Sequence, residues 1–325
     1  MALNISRRQV IGGVIASGAA SALGLPTLAL GSVQGPTPAL TLTEQQAIDS
    51  ALGKKGTYND GQATHVVAFP RNDLHVTIKG QSAPIPLGFG GWAAFKRTLD
   101  GKSAIFMSDN VLLEEEINPL IDAAHSNGLM IGAIHNHFLF ENPRVFFMHV
   151  HGMGEPGDLA SRYAKAIADS KISPKNQPPA TRSAVIAADI FDLSNLDRIV
   201  GAKGTANGAA YKFAIGRKDL KIIEMTAEMT AAIGLNTWCT FVGTADEATV
   251  AGDVAMLAHE VNPVIALLRK AGFEVCALHS HMLTEQPRIL FMHYLGHGKS
   301  QELAKTFRSV LDILGNVPGD MTMGK

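Results

Sequence analysis

Cysteine is scarce: the 325-residue chain has two, Cys239 and Cys276. Two are too few for a disulfide framework, which leaves either one bridge in an oxidising compartment or two buried thiols. Net charge is nearly absent as well, at −1 from 28 basic and 29 acidic side chains. No basic stripe accompanies it, so the electrostatic footprint of a nucleic-acid binder is missing. Beyond the N-terminus no apolar run reaches membrane-spanning length, and the mature chain is expected to carry no membrane span. There is no Gly-x-Ser-x-Gly, and the GKKGT and GAKGT segments lack P-loop spacing, so both read as loops. A nucleophile elbow and a phosphate cradle are thereby excluded.

Histidine is what the chain concentrates. Eight of its 12 histidines lie within residues 135–151 and 279–297. HNHFLFENPRVFFMH runs from His135 to His149, and HSHMLTEQPRILFMH from His279 to His293. Each phrase has a His-x-His, a Glu four residues later, a Pro-Arg pair and a third His at the same spacing.

Other segments repeat too. IDSALGKKGTYNDG matches LDRIVGAKGTANG, FPRNDL answers IGRKDL, and EINPLIDAAHSNG answers EVNPVIALLRKAG. The chain is therefore one domain written twice, over residues 43–170 and 191–316. The Pro-rich segment 171–190 reads as a linker. Residues 1–31 read as a leader, because Arg7 and Arg8 precede a Gly- and Ala-rich apolar run and no acidic residue occurs before Glu44. A twin-arginine signal peptide predicts a periplasmic or secreted protein.

Within each copy, segments such as THVVAF, GWAAFKRTL and SAIFMSD have the β-branched and aromatic content of strands. The Glu116 segment, ending at Gly128, reads as a helix, as does DLASRYAKAIADS. The expected fold class is α+β: two tandem homologous domains, each mainly antiparallel sheet with helices, related by a pseudo-twofold axis.

Strand geometry puts residues i and i+2 on one face, so His135 and His137 are expected to point together. An antiparallel return strand then brings His149 opposite His137. The second copy repeats this with His279, His281 and His293. Three imidazoles suit a divalent metal ion such as Zn, Mn, Fe or Cu. The candidate catalytic residues are Glu141 and Glu285, as fourth ligand or general base, and Arg144 and Arg288, as grips for a small or cell-wall-derived anionic ligand. The copies differ at His151, which corresponds to Leu295, and at His297, which corresponds to Met153. Trp92 and Trp238 read as core. Glu116 and Glu260 read as helix-start residues.

The doubled GxKGT and HxHxxxxExPRxxFMH pattern resembles the bacterial family named after the lipoproteins LppY and LpqO, over about residues 43–316. The resemblance implies an exported protein with a duplicated domain and carries no activity with it. No cysteine stands directly after the leader, so a lipobox is missing and a free rather than lipid-anchored form is expected. The function expected is that of an exported metal-binding protein acting as a metal-dependent hydrolase. The alternatives are a non-catalytic metal buffer or chaperone, and an envelope ligand-binding module with structural histidines.

Overall fold

Thr41 accepts a hydrogen bond from the Glu44 backbone while Glu44 reaches back to the Thr41 N–H, and this reciprocal cap opens the first helix. Gly53, in the left-handed region at φ 63°, closes it. The computed structural model of the chain describes residues 36–180 and 184–315. The expected leader, residues 1–31, lies outside the described residues.

The first lobe starts with α1 (Leu42–Leu52), β1 (Thr57–Asn59), β2 (Thr64–Pro70), β3 (Val76–Ile78) and β4 (Gln81–Ala83). It continues through β5 (Gly90–Arg97), β6 (Ala104–Leu113), α2 (Glu114–Ser126) and β7 (Met130–His135). It ends with β8 (Glu141–Asn142), β9 (Val145–Gly154) and α3 (Pro156–Ala166). The second lobe opens on α4 (Ala187–Ile190), α5 (Leu193–Val200), β10 (Thr205–Asn207), β11 (Ala210–Gly216), β12 (Ile222–Glu224) and β13 (Ala227–Met229). There follow β14 (Asn236–Gly243), β15 (Ala248–Met256), α6 (Ala258–Lys270), β16 (Glu274–His279), β17 (Leu290–Gly298) and α7 (Ser300–Ile313).

Each lobe forms one six-stranded sheet, in the order β1-β2-β5-β6-β9-β7 and β10-β11-β14-β15-β17-β16. All pairings within them are antiparallel. The two orders are the same topology at equivalent positions, as the repeat requires. The fold is therefore α+β with a duplicated unit.

Alternation gives each sheet two buried faces. One face packs its own helices: Phe69, Phe95, Phe106 and Val150 meet Tyr163 of α3 and Leu120 of α2. Phe213, Phe241 and Val250 likewise meet Phe307 of α7 and Val264 of α6. The other face is covered by the sister lobe. Ala94, Ile105 and Met107 of the first sheet pack against Ile222 and Met229 of the β12–β13 hairpin, and against Phe291. In return, the apolar cluster of the β3–β4 hairpin, with Val76, Ile78 and Phe147, takes in Ala251 and Leu295 of the second sheet. The described residues of both lobes accordingly form one compact unit. Neither sheet could leave that second face in water without exposing a large apolar patch.

Three of the repeated phrases prove to be scaffolding. Arg71 bridges the end of β2 to the Val111 carbonyl and to Glu116, and Arg217 does the same with the Ala255 carbonyl and Glu260. Glu116 and Glu260 also accept the N–H of Leu113 and Leu257, starting their helices as expected. In the KGT loops, Asp49 accepts from the Gly56 N–H and Asp197 from that of Gly204. A Cβ on Gly56 would come within 2.8 Å of the Val66 carbonyl oxygen, which is why that loop needs glycine. The linker runs along the first lobe, where Gln177 donates to Asp73 and the Asn72 side chain to the Pro178 carbonyl.

Candidate metal centre

The register of the last strands decides where the imidazoles go. β7 pairs with β9 so that His135 lies opposite Phe147 and His149 opposite Ala133, with a bulge between Ile131 and Ala133. β16 and β17 repeat the arrangement, with a bulge between Val275 and Ala277. His137 lies beyond the end of β7, so it does not face His149 across the strands as the sequence led us to expect. His135 does so diagonally, its Nε2 3.0 Å from Nε2 of His149.

Each histidine of one phrase instead stacks on a histidine of the other lobe. His135 stacks on His279 with ring centroids 3.6 Å apart, His137 meets His293 at 3.7 Å, and His149 meets His281 at 4.0 Å. His137 is also stacked on Phe147 and His281 on Phe291, so an apolar ring backs each. Six histidines from two sheets thus form one cluster at the pseudo-twofold axis, rather than two sites.

Within it, ligand atoms of His135, His279, His281 and His293 all lie within 4.8 Å of one another. Four imidazoles so placed can hold a metal ion. Their remaining ring nitrogens are occupied in three cases. Nδ1 of His135 faces the Asn136 carbonyl, that of His279 the Ser280 carbonyl, and that of His293 the Gly252 carbonyl. A carbonyl at Nδ1 fixes the tautomer and turns the Nε2 lone pair toward a ligand. Nε2 of both His279 and His293 is buried with no hydrogen-bond partner among the described residues. Leaving such acceptors unmet costs about 1–3 kcal/mol each, a cost that a metal would relieve.

Burial holds His135, His137, His149, His281 and His293 well below the ordinary imidazole range, and neighbouring rings push further in the same direction. Burial lowers His279 to about 4. The rings are therefore neutral at physiological pH, the form that binds metal.

A cavity of about 470 Å³ reaches this cluster at His137, His281 and His293. Two carboxylates line it, Asp109 on β6 and Asp253 on β15, which occupy equivalent positions in the two sheets. Asp253 lies 3.8 Å from His281 Nε2 and Asp109 4.0 Å from His149 Nε2. Burial pushes Asp109 up to about 7 and Asp253 up to about 8, with Lys212 opposing both. The Lys212 ammonium sits 4.4 Å over the ring of Trp238 in the same cavity. Sequence reasoning passed over these residues, although an Asp in the middle of an apolar strand, repeated 144 positions later, was a readable signal.

Trp92 and Trp238 are not core as expected: both are half-buried and wall the cavity. Each lies against a glycine of the opposite lobe. A Cβ on Gly234, at φ 93°, would come within 3.0 Å of Trp92, and one on Gly88, at φ 127°, within 3.2 Å of Trp238.

Glu141 and Glu285 lie outside the four-imidazole group. Each instead pins its turn, accepting the backbone N–H of Val145 and Ile289 respectively. Arg144 is exposed and 3.6 Å from Glu114, and Arg288 is exposed and 3.5 Å from Glu285. His151 is buried beside the cluster, and burial lowers it to about 4. His297 stands apart, its Nδ1 on the Thr249 hydroxyl. Cys239 and Cys276 are free thiols, and burial raises both to about 12, which makes them poor nucleophiles.

A family model described as Domain of Unknown Function (DUF1259) matches the chain twice, over residues 46–169 and 194–313. No curated protein matches it. Among solved structures, the double ringed trimeric shell protein MSM0271 from the RMM microcompartment is similar at 9% identity and TM-score 0.18, over 67% of this chain and 85% of that one. The trimeric bacterial microcompartment shell protein PduB is similar at 11% identity and TM-score 0.19, over 79% and 89%. Likeness at that level supports no statement about this chain.

Proposed function

This chain belongs to the family described as Domain of Unknown Function (DUF1259), and we propose that it is an exported metal-binding protein whose two lobes share one ion. The observation that carries the reading is the set of four ligand atoms within 4.8 Å, one from the first lobe and three from the second. Nitrogen-only ligation of this kind suits Zn²⁺, Cu²⁺, Fe²⁺ or Mn²⁺, with affinity order favouring copper and zinc. Folding before export, the route that a twin-arginine leader implies, would let the cell load the ion inside.

We further propose that the site is hydrolytic. A divalent ion there supplies Lewis acidity toward an oxygen of substrate or water. The protein's own contribution is proton handling and exclusion of bulk water. Asp109 and Asp253 hold protons at carboxyls raised into the neutral range, where a general acid or base works best. The apolar walls of the cavity and the stacked Phe147 and Phe291 keep the imidazoles dry.

The test is elemental analysis of protein collected from the exported fraction with its own leader, beside an Arg7→Lys/Arg8→Lys precursor. One ion per chain is expected, removable by chelator, with export lost in the double variant. An ion content near zero would overturn the metal reading. Unchanged export would overturn the route. Hydrolysis of ester, amide or phosphoester probes that persists after chelation would exclude the ion from the chemistry.

A further inference from the structure

Lys212 breaks the symmetry of the site. It lies on β11 opposite Thr240, two residues before Ala214, which pairs with Trp238. On β2, Ala68 pairs with Trp92, and the residue two before it is Val66. Val66 is thus the counterpart of Lys212, and both line the cavity. One lobe carries an ammonium where the other carries an isopropyl group.

The ammonium lies over the Trp238 face, and it makes no hydrogen bond and no ion pair within 4 Å among the described residues. Its three N–H donors are therefore available to something in the cavity. Apart from Asp109, Asp253, the three imidazoles, Asn207 and Asn236, the rest of the lining is mostly small and apolar, including Ala68, Ala214 and Ala231, with Trp92 and Trp238 as broad walls.

We propose that the cavity binds a small monocarboxylate with an apolar or aromatic body, its carboxylate held by Lys212 and its body lying against the two tryptophans. The proposal rests on the metal reading of the same site, whose His137, His281 and His293 line this cavity. Lys212 is the one Lys or Arg side chain lining it, and no carboxylate among the described residues lies within 4 Å of its ammonium. One anionic group neutralises it. Because Val66 offers nothing equivalent, the ligand lies in one direction across an otherwise twofold cavity.

The chain has only two tryptophans and both wall this cavity, so their intrinsic fluorescence reports its occupancy directly. The holoprotein, with ion content measured in every sample, is titrated with benzoate, the neutral isostere benzamide, and phenyl phosphate. Benzoate should bind more tightly than either of the others. Lys212→Val, which installs the first lobe's own residue type, should weaken benzoate roughly tenfold to a hundredfold, as loss of a charged hydrogen bond does, and leave benzamide unchanged. Adding Val66→Lys to that variant should restore benzoate binding from the opposite side.

Equal binding of benzoate and benzamide by ion-containing protein would overturn the proposal and leave the metal reading standing. So would tighter binding of phenyl phosphate, or a double variant that binds benzoate no better than Lys212→Val. Protein that contains no ion fails the metal reading first, and the ion measurement separates that case from these.

Discussion

The two lobes have the same strand order, the same bulge beside the His-x-His strand and the same Arg–Glu bridge, yet they differ at two places around the site. In the cavity Val66 stands against Lys212, and beside the histidine cluster His151 stands against Leu295. Core changes, in contrast, compensate. Tyr294 replaces Val150, and its hydroxyl reaches the Trp238 carbonyl past Gly252, where the first lobe has Ser108. What both lobes keep is what holds a sheet and presents imidazoles. What they do not share gives a twofold site a direction.

The comparison breaks most visibly if the cluster is not shared. His135→Ala in the first lobe and His281→Ala in the second should each remove nearly all bound metal. Removing a direct ligand should cost at least the upper end of the roughly 10–100-fold seen for outer-shell changes. Two independent sites would instead leave about half the metal in each variant, and elemental analysis distinguishes the outcomes.

A smaller contrast concerns the Arg–Glu bridges. Arg217 binds Glu260 with both nitrogens, at 2.7 and 2.9 Å, and Glu260 is fully buried. Arg71 makes a single bond to Glu116, at 2.8 Å, and Glu116 keeps some access to water. Removing one partner of a buried pair costs about 3–5 kcal/mol because the other charge is left alone. Arg217→Met should approach that figure in chemical denaturation, and Arg71→Met should fall clearly below it. Equal losses would mean that the lobes' scaffolds are energetically equivalent despite their different burial.

His151 gives the lobes different acid sensitivity. Its folded pKa, about 4, lies below the unfolded value of roughly 6.5. The stability linked to it is therefore present above pH 6.5 and lost as pH falls toward 4. In chelated protein, His151→Leu, the second lobe's residue, should lose about 2 kcal/mol less than wild type between pH 7 and 5. An unchanged pH profile in thermal or denaturant unfolding would show that folding does not lower the His151 pKa.

How much of this was readable beforehand varies with the kind of relation involved. The strands, the helix starts and the clustering of histidines follow from local pattern and repetition, and the structure has them. Which imidazole meets which did not follow. The ladder ends at His135, which leaves His137 off the strand, and the His135–His279, His137–His293 and His149–His281 stacks join residues of different lobes that no local spacing connects. Lys212 was invisible for the opposite reason: it occurs once, and repetition was the signal in use. Repetition also marks scaffolding as strongly as chemistry, as the turn-pinning Glu141 and Glu285 demonstrate.

Those two glutamates supply the smallest effect. Each accepts a backbone N–H through Oε1, at 3.0 Å from Val145 and 3.2 Å from Ile289, and a glutamine carbonyl can accept the same bond. Burial raises Glu141 to about 7, so its uncharged form is already well populated near neutrality, and Glu141→Gln should change stability by less than about 0.5 kcal/mol. Glu285 is wholly buried and has the Arg288 Nε 3.5 Å away. Glu285→Gln should therefore cost more, about 1 kcal/mol, by weakening that contact. Neither variant should lose metal, because neither carboxylate belongs to the four-imidazole group. Denaturant midpoints and ion content measured on the same samples decide the matter. A stoichiometric loss of metal in either variant would make that glutamate a ligand after all, and a loss in only one of the two variants would show from which lobe the shared ion draws its carboxylate.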